Sequence, residues 1–528
     1  MSTSEFPARR FGIPRPQTAA GPIATEVWLV GALVVIAAAI RIVVINDQSY
    51  WADEALTAYE AKLPFAGMLS VVVHFETTPP LYFVVIWVWA HLFGTGEVAL
   101  RSVSLLAGVA LVPIAYVATR ELVSRWAGVV AAAFVTVNPF LIWYSQEARA
   151  YMLLAVLTGL SFMWFVRARR DPSKRNVLWW AAVSSLALMT HFFAGFAVFP
   201  EAVWLLWLAR TRLMASAVAV VAVVQVAMLP FALIDTSHGT WWIAAEPKLA
   251  RVSQAIAEWG VSIEYRRTTT SQALLGGAAL LLAVGLLLAF AGDRRTREGA
   301  KVGGVIVAFV WLAPLALSVF GQDYFLSRNA IPAIVPLAVV IAAACVVPRA
   351  RLAGAALAVA LLAMFSYAAA RVQTHAYLER PNWRAVAHAL GDAFVPRAVL
   401  VANGTTGDPL KIYLPHVTWV QPAHGLTIKE VDIVGAIKRL PLVRIGRNGR
   451  PVSLKPHMRR LVGAPVPRSV SVRDATLIAR FRVDNWIIAR YELSRPVHLT
   501  AKQLNAIAPR YFRRTPQALM IFYQRPGR

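Results

Sequence analysis

Cysteine is almost absent from this sequence of 528 residues. The single cysteine, Cys345, lies in an apolar run, so the sequence holds neither a disulfide framework nor a cysteine metal site. Charge is also scarce: 15% of the residues are charged, whereas soluble proteins average about 25%. With 58% hydrophobic residues and a mean hydropathy of +0.57, the composition excludes a cytosolic enzyme, a disordered protein and a disulfide scaffold. We expect a polytopic membrane protein.

Acidic residues are fewer than basic ones, with 27 Asp and Glu against 53 Lys and Arg. A basic excess of this size can indicate nucleic-acid binding. Most of the excess falls after residue 370, where the sequence has 26 basic and 8 acidic residues. The orientation derived below places that segment outside the cell. Anionic membrane lipids, lipid-linked phosphates or acidic wall polymers are therefore the expected partners, and no nucleic acid is expected.

Long apolar runs dominate the first 370 residues. A spanning helix needs about 20 mostly apolar residues. The stretch 79–93 is short, begins with two prolines and is rich in Trp and Tyr, which favours an interfacial helix over a span. Eleven other runs are predicted to cross the membrane: 27–45, 101–119, 126–142, 150–166, 176–192, 194–209, 213–233, 273–291, 302–320, 329–347 and 352–370.

The distribution of basic residues orients these spans. With eleven spans, 18 basic residues lie on one side in short loops, and the opposite loops with the adjoining Arg101 hold eight. The richer side is predicted to be cytoplasmic, with a cytoplasmic tail (1–26) and no signal-peptide cleavage site. The outer face then receives the loops 46–100 and 234–272 and the C-terminal domain. If 79–93 also crossed, most basic clusters would move outside.

The C-terminal segment 371–528 has a mixed pattern. Pro381–Leu390 has helical spacing, with Asn382 as the cap and Gly391 as the stop. Strands are predicted at 398–402, which Asn403-Gly404 would end, and at 417–420, 486–491 and 518–523. The predicted fold class is thus an all-α polytopic membrane domain (27–370) followed by an extracytoplasmic basic α/β domain.

Ionisable residues cluster at the outer ends of the spans, where they are costly in lipid and tend to mark function. Asp53 follows the first span and has two interpretations: it caps a helix at 54–62, or it acts as a general base on an incoming hydroxyl. Other candidates also have a structural alternative. Thr78 could cap a helix that starts at Pro79-Pro80, and Glu147 and Arg149 could form a surface ion pair. Arg328 could lie at the membrane interface and not bind a phosphate. The further candidates in this cluster are His74, Glu76, Thr78, Tyr82, Gln146 and His191.

In their order along the chain these residues resemble a known family. Trp51-Ala52-Asp53-Glu54-Ala55, Thr78-Pro79-Pro80-Leu81-Tyr82, Glu97-Val98-Ala99-Leu100-Arg101, Ser145 to Tyr151 and Thr190-His191-Phe192 are similar to motifs of type C glycosyltransferases, GT-C. The protein O-mannosyltransferases, aminoarabinose transferases and RgtA/B/C/D-like transferases are the groups that the series resembles most. Arg328-Asn329-Ala330 with Pro332, and Asn382-Trp383-Arg384, are similar to later stretches of these proteins.

The resemblance implies a glycosyltransferase that takes a sugar from a polyprenyl-phosphate donor on the outer leaflet, generally with inversion, and passes it to a lipid, glycan or protein acceptor. It assigns catalysis to Asp53 and its neighbour Glu54. The chain departs from the pattern at Thr78, where relatives often have His or Lys, and at Gln146-Glu147, which replaces an acidic pair. We therefore expect no metal site and no cofactor. A requirement for a divalent cation is the alternative that stays open. Candidate donor-phosphate contacts are Arg328, His191, Arg149 and Arg101, and candidate substrate contacts are His74, Glu76, Thr78, Tyr82, Gln146 and Glu147.

Two other functions stay open at this point. A transporter or flippase would place charges at mid-span and carry two similar halves, whereas here the charges lie at the ends and no internal repeat is evident. A non-enzymatic envelope-assembly protein would depend on the basic C-terminal domain and not on Asp53. The high content of Ala, Arg and Val suggests a bacterial source, and hence the plasma membrane.

Overall fold

The computed structural model describes residues 25–527 with gaps. The gaps are 77, 239–242, 244–245, 262–267, 322, 376–377, 402–406, 420–424, 437–442, 446–450, 454–473, 484–485, 501 and 505–519. Nearly all of the expected cytoplasmic tail (1–24), parts of the loop 234–272 and the strand end at Asn403-Gly404 therefore lie outside the described residues.

Helices make up the described part of the chain as far as residue 374. Their bounds, in chain order, are α1 (Thr25–Val44), α2 (Ala52–Glu60), α3 (Phe65–Phe75), α4 (Leu81–Phe93), α5 (Glu97–Leu122), α6 (Arg125–Val137), α7 (Pro139–Tyr144), α8 (Tyr151–Arg170), α9 (Lys174–Thr190), α10 (Ala194–Leu208), α11 (Arg212–His238), α12 (Lys248–Val261), α13 (Thr270–Leu286), α14 (Arg294–Leu317), α15 (Ile334–Cys345) and α16 (Arg351–Thr374).

All eleven predicted spans are helical, and the span 126–142 divides at Asn138 into α6 and α7. Eight of the described helices are long and apolar enough to cross a membrane: α1, α5, α8, α11, α13, α14, α15 with the preceding 3-10 turn Arg328–Ala333, and α16. The remaining three predicted spans correspond to the shorter helices α6, α9 and α10. The short run 79–93 forms the 13-residue helix α4. The chain is a multi-pass membrane protein.

Burial separates inner helices from lipid-facing ones. Over an 18-residue apolar stretch of each helix, 83% of the residues are buried in α15 with its 3-10 turn and 72% in α8, against 11–22% in α1, in α11 (Arg212–Phe231) and in α13. Close packing at the centre requires small residues: a Cβ on Gly108 in α5 would lie 2.3 Å from Ser145 Oγ. The candidate residues thus project from the ends of a tightly packed helical core.

A six-stranded sheet forms the C-terminal part, in the order β2-β8-β1-β3-β7-β6. The pair β1/β3 is parallel and the other pairs are antiparallel. A separate two-stranded sheet pairs β4 with β5. The strands are β1 (Arg397–Val401), β2 (Val417–Trp419), β3 (Leu426–Ala436), β4 (Val443–Ile445), β5 (Pro451–Ser453), β6 (Ala475–Val483), β7 (Trp486–Leu499) and β8 (Met520–Gln524), with helices α17 (Trp383–Leu390) and α18 (Leu410–Tyr413).

Helix α17 lies on this sheet. Asn382 accepts a hydrogen bond from Ala385 N at the start of the helix, and Gly391 ends it with φ +63°. Trp383 is fully buried, with its ring centroid 4.3 Å from that of Trp486, and burial of so large a side chain contributes about 1.5–3 kcal/mol. The predicted cap and stop are confirmed. The four predicted strands form as β1, β2, β7 and β8, whereas β3, β4, β5 and β6 were not predicted.

Candidate active site

The ends of several helices meet in one place. Predicted site residues stand after the C-terminal ends of α1 and α9, at the N-terminal end of α5 and just before α8. The basic clusters 120–125 and 167–175 stand at the opposite ends of α5 and α8. The candidates therefore share one face of the helical core, away from the basic loops.

Asp53 lies inside the first turn of α2. The helix begins at Ala52, after Trp51 in an extended conformation. The Trp51 backbone N–H donates to Glu54 Oε2 at 3.5 Å, so a side chain of the first turn satisfies this donor. The interpretation of Asp53 as the cap of a helix beginning at Glu54 is therefore wrong. Its role as a base stays a prediction.

Glu54 and Arg101 form a bidentate ion pair. Arg101 Nε lies 2.8 Å from Glu54 Oε1 and Nη2 lies 2.7 Å from Oε2, and both side chains are fully buried. Glu54 Oε1 also accepts the backbone N–H of Ala148 at 2.9 Å. Burial alone would raise the pKa of Glu54, but the charge and hydrogen bonds of Arg101 outweigh burial and lower it. Glu54 is held ionised.

The rest of the Arg101 guanidinium holds the segment that follows α1. It donates to the carbonyl oxygens of Ile45 at 3.1 Å, Gln48 at 2.6 Å and Ser49 at 3.1 Å. The predicted phosphate contact at Arg101 and the predicted catalytic role of Glu54 stay untested. Their contacts favour a different task, which is to fix the turn that carries Asp53.

Arg149 bridges α2 and the end of α3. It binds Glu76 through two nitrogens at 3.3 and 3.2 Å and donates to Thr57 Oγ1 at 3.2 Å. Asp53, Thr57 and Glu60 follow each other at intervals of four and three residues, so they share one face of α2. Burial and the neighbouring Glu76 carboxylate raise the pKa of Glu60 to about 9. Glu60 is therefore neutral at pH 7.

Several buried polar atoms near these pairs have no hydrogen-bond partner among the described residues. They include Tyr82 OH, Thr78 Oγ1, Gln146 Oε1 and Glu147 Oε1. Buried polar groups in proteins are normally hydrogen-bonded, so these four atoms offer contacts to a polar ligand. These four of the six predicted substrate contacts therefore have polar atoms available to bind a substrate, and their role stays a prediction.

Arg328 and His191 lie against the same aromatic ring. The Arg328 guanidinium lies 5.6 Å from the centre of the Tyr151 ring, and the His191 ring centroid lies 6.0 Å from that of Tyr151. The negative charges of Asp53 and Glu147 act on Arg328, and the Arg328 charge acts on His191. The structure thus brings the two predicted phosphate contacts together, and the charge of the predicted base reaches one of them.

The hydrogen bonding of His191 defines which ring nitrogen carries the proton. The backbone N–H of Phe193 donates to His191 Nδ1 at 3.2 Å, so Nδ1 is an acceptor. In a neutral imidazole the proton is then on Nε2. This tautomer presents an N–H donor, which suits a phosphate oxygen.

His74 is not part of the buried group. It is exposed at the end of α3, and its Nδ1 lies 2.7 Å from Ser70 O. Among the residues with described positions, no group of three His, Cys, Asp or Glu side chains is arranged to hold a metal ion.

One residue of the site was missed by the sequence interpretation. Arg380, which precedes α17, forms an ion pair with Glu147 and lies 4.3 Å from the centre of the Trp143 ring. Both side chains of the ion pair are almost fully buried. The only signal was the nearby Asn382-Trp383-Arg384 motif, which marks the start of the domain without indicating a contact more than 230 residues back in sequence.

Comparisons with known proteins agree with this arrangement. The family described as dolichyl-phosphate-mannose-protein mannosyltransferase matches residues 77–234. The structure of ArnT from Cupriavidus metallidurans bound to undecaprenyl phosphate is similar to this chain with a TM-score of 0.51 and 14% identity, over 88% of this chain and 98% of ArnT. No protein of curated function matches in sequence.

Two further solved structures are less similar, and no inference rests on them. The oligosaccharyltransferase of Archaeoglobus fulgidus has a TM-score of 0.41 and 15% identity, over 69% of this chain and 54% of that protein. Arabinofuranosyltransferase AftD from Mycobacteria has a TM-score of 0.42 and 16% identity, over 89% and 42%. The family match over 77–234 and the fold shared with ArnT make the chain similar to membrane glycosyltransferases.

Proposed function

We propose that this enzyme moves a sugar from a polyprenyl-phosphate donor to a hydroxyl of an envelope lipid, glycan or protein. The observation that carries the proposal is the position of Arg328 and His191 at the Tyr151 ring, where the charge of Asp53 acts on Arg328. A carboxylate beside two phosphate-binding side chains supplies what transfer from a lipid phosphate needs. The ArnT structure, which is described as bound to undecaprenyl phosphate, supports a donor of this class.

The reaction requires one proton transfer and one displacement. Asp53 accepts the proton of the acceptor hydroxyl as its oxygen attacks the anomeric carbon. The bond from that carbon to the phosphate oxygen breaks, and its electron pair leaves with the polyprenyl phosphate. Attack from the side opposite the phosphate inverts the anomeric centre.

The leaving phosphate is assigned to Arg328 and His191. Arg149 and Arg101, the other two candidates, already bind Glu76 and Glu54 through two nitrogens each. The guanidinium of Arg328 is a planar fork that fits phosphate oxygens, and His191 Nε2 adds one donor. Negative charge that develops on the phosphate is thus stabilised by groups already in place.

The placement in the cell follows from the charge asymmetry. We assign the N-terminus and the basic loops to the cytoplasm of a bacterial cell, and the site and the segment 371–528 to the outer face of the plasma membrane. Residues 27–370 are the membrane domain in this assignment. The basic C-terminal domain then faces anionic lipid headgroups, to which Lys and Arg are attracted.

A transfer assay tests the proposal. Purified protein in liposomes is supplied with a panel of polyprenyl-phosphate sugars and an envelope-lipid extract, and polyprenyl phosphate release is measured together with the glycosylated product. We expect release that depends on the acceptor. A flippase would move the donor across the bilayer with its anomeric bond intact, so translocation without release would replace this function. Mass analysis of envelope glycans from a deletion strain would identify the sugar.

A further inference from the structure

The start of the C-terminal domain is tied to the segment that carries Asp53. Residues 380–384, here named the junction strap, contact the stretch 46–51. Ser49 Oγ donates to Pro381 O at 3.1 Å and accepts Trp383 N–H at 2.8 Å. The backbone N–H of Arg380 donates to Gln48 Oε1 at 3.2 Å. The strap therefore fixes the same turn that Arg101 holds.

A second arginine of the strap binds this segment without reaching Glu147. Arg384 pairs with Glu97 and donates to the backbone oxygen of Asn46 at 3.3 Å. Its side chain is 40% exposed, whereas that of Arg380 is 7% exposed. The two arginines share the strap and differ in what they touch.

The Arg380 side chain enters the membrane domain. Its guanidinium pairs with Glu147, donates to Gln146 O at 3.3 Å, and lies 4.3 Å from the centre of the Trp143 ring and 5.6 Å from that of Trp51. Contact with a carboxylate, a carbonyl and two aromatic faces uses the planar fork that distinguishes Arg from Lys. The position of this one side chain depends on both domains.

We propose that Arg380 is a positioning residue of the transfer site, which holds the Glu147 carboxylate in place beside Asp53 and Arg328. The inference rests on the proposed function and adds to it a residue from the C-terminal side of the chain. Arg380 is not placed in contact with either substrate; it acts through Glu147.

The electrostatics around Glu147 agree with this role. Burial raises the pKa of Glu147 to about 7, and Arg380 counters part of that rise. Without Arg380 the pKa would rise further, and the carboxyl would be protonated at neutral pH. Because Glu147 acts on Arg328, its charge state changes the field at the phosphate contact. The charged and titratable groups that face Glu147 are Arg380 from the strap, Asp53 and Glu54 from α2, Arg328 from the turn before α15, and Tyr82, Tyr144 and Tyr151.

The first experiment needs no substrate. Infrared spectra of the full-length protein in liposomes are recorded across pH, and the Glu147→Gln spectrum is subtracted to isolate the protonated-carboxyl band of Glu147. The wild-type midpoint is expected near pH 7. Arg380→Ala should move the midpoint upward by about 1–3 pH units, the effect of removing a close opposite charge. Arg380→Lys keeps the charge, so its Glu147 midpoint should lie close to the wild-type value. This variant serves as the test if the alanine variant does not fold.

Arg384→Ala is the matched control from the same strap. It removes a contact with the 46–51 stretch and its Glu97 partner but no contact with Glu147, so the Glu147 midpoint should stay at the wild-type value. An equal shift in Arg384→Ala would trace the effect to loss of the strap and overturn the specific role of Arg380. An unchanged midpoint in Arg380→Ala would overturn it as well.

The second readout is the pH profile of kcat. Activity should fall as the pH drops through the Glu147 midpoint, and this acid limb should move upward in Arg380→Ala together with the infrared band. In a Glu147→Gln background, Arg380→Ala should cause no further displacement of the limb. A displacement that persists without Glu147 would contradict the proposal. If the wild type releases no polyprenyl phosphate from any donor, the transfer function fails while the infrared result still decides the Arg380–Glu147 contact.

Discussion

The guanidinium of Arg101 meets the carboxylate of Glu54 at 2.7 Å, and neither side chain has exposed surface. Glu54 is the neighbour of Asp53, and Arg101 also holds the carbonyl oxygens before it. A buried pair of this kind is a weak source of net stability but a strong constraint, because removing one partner leaves a buried charge alone. The pair fixes the backbone from which Asp53 projects.

Glu54→Ala should destabilise the protein. Loss of one partner of a buried pair costs about 3–5 kcal/mol in the free energy of unfolding. Thermal unfolding in detergent measures the effect. The control is Glu121→Ala, which breaks the partly exposed pair with Arg167 and should cost about 1 kcal/mol or less. Equal losses in the two variants would show that the Glu54–Arg101 pair is not the constraint described here.

Glu60→Gln should stabilise the protein increasingly as pH rises. The folded state raises the pKa of Glu60 from its ordinary value of 4.5 to about 9, so between these values the folded chain binds a proton that the unfolded chain has lost. Stability contributed by this carboxyl is therefore present below pH 4.5 and is lost as the pH rises toward 9. Unfolding temperatures of wild type and variant, compared from pH 5 to 9, should diverge. Parallel curves would mean that Glu60 titrates normally.

Arg328→Lys should lose most of its transfer rate while keeping its charge. A lysine cannot reproduce the planar fork of donors, and loss of one preorganised donor to a developing negative charge costs about 10²–10³ in kcat. Steady-state rates with a polyprenyl-phosphate sugar measure the effect. Arg351→Lys, an exposed residue at the start of α16, is the control and should retain its rate. Near-wild-type kcat for Arg328→Lys would remove Arg328 from the phosphate site.

The topology can be tested with reporter fusions at two loops. Gly94 follows helix α4, which is predicted to be interfacial, and Ser173 precedes α9. A reporter at Gly94 should be active outside the cell and one at Ser173 inside it. If both report the same side, the eleven-span arrangement is wrong.

Much of the fold could be predicted because its signals are local. Apolar runs predicted helical structure at eleven places, of which eight are long and apolar enough to cross a membrane, and Asn382 and Gly391 predicted the ends of α17. Strand β3 was missed because Asp432, a charged residue on a buried strand, breaks the apolar pattern. In the fold Arg397 and Arg490 neutralise it at 3.0 and 2.8 Å, and both partners come from other strands.

The sequence predicted which residues belong to the site better than it predicted what each residue does there. Position at the helix ends that the sequence predicts to face outward identified Asp53, His191 and Arg328. The fold places His191 and Arg328 at the Tyr151 ring, and the charge of Asp53 acts on Arg328. Sequence could not show that Arg101 is bound to Glu54, 47 residues away, because ion pairing is decided by packing. For the same reason Arg380 could not be connected with Glu147.

Asp53→Asn tests the central claim most directly. Asparagine keeps the size of the side chain but cannot accept the acceptor's proton, so we expect no detectable sugar transfer in liposomes, with an unfolding temperature equal to wild type. Asp47→Asn, an exposed carboxylate in the same loop, is the matched control and should transfer at the wild-type rate. Full activity of Asp53→Asn with a polyprenyl-phosphate sugar would contradict the assignment of Asp53 as the base and with it the proposed site.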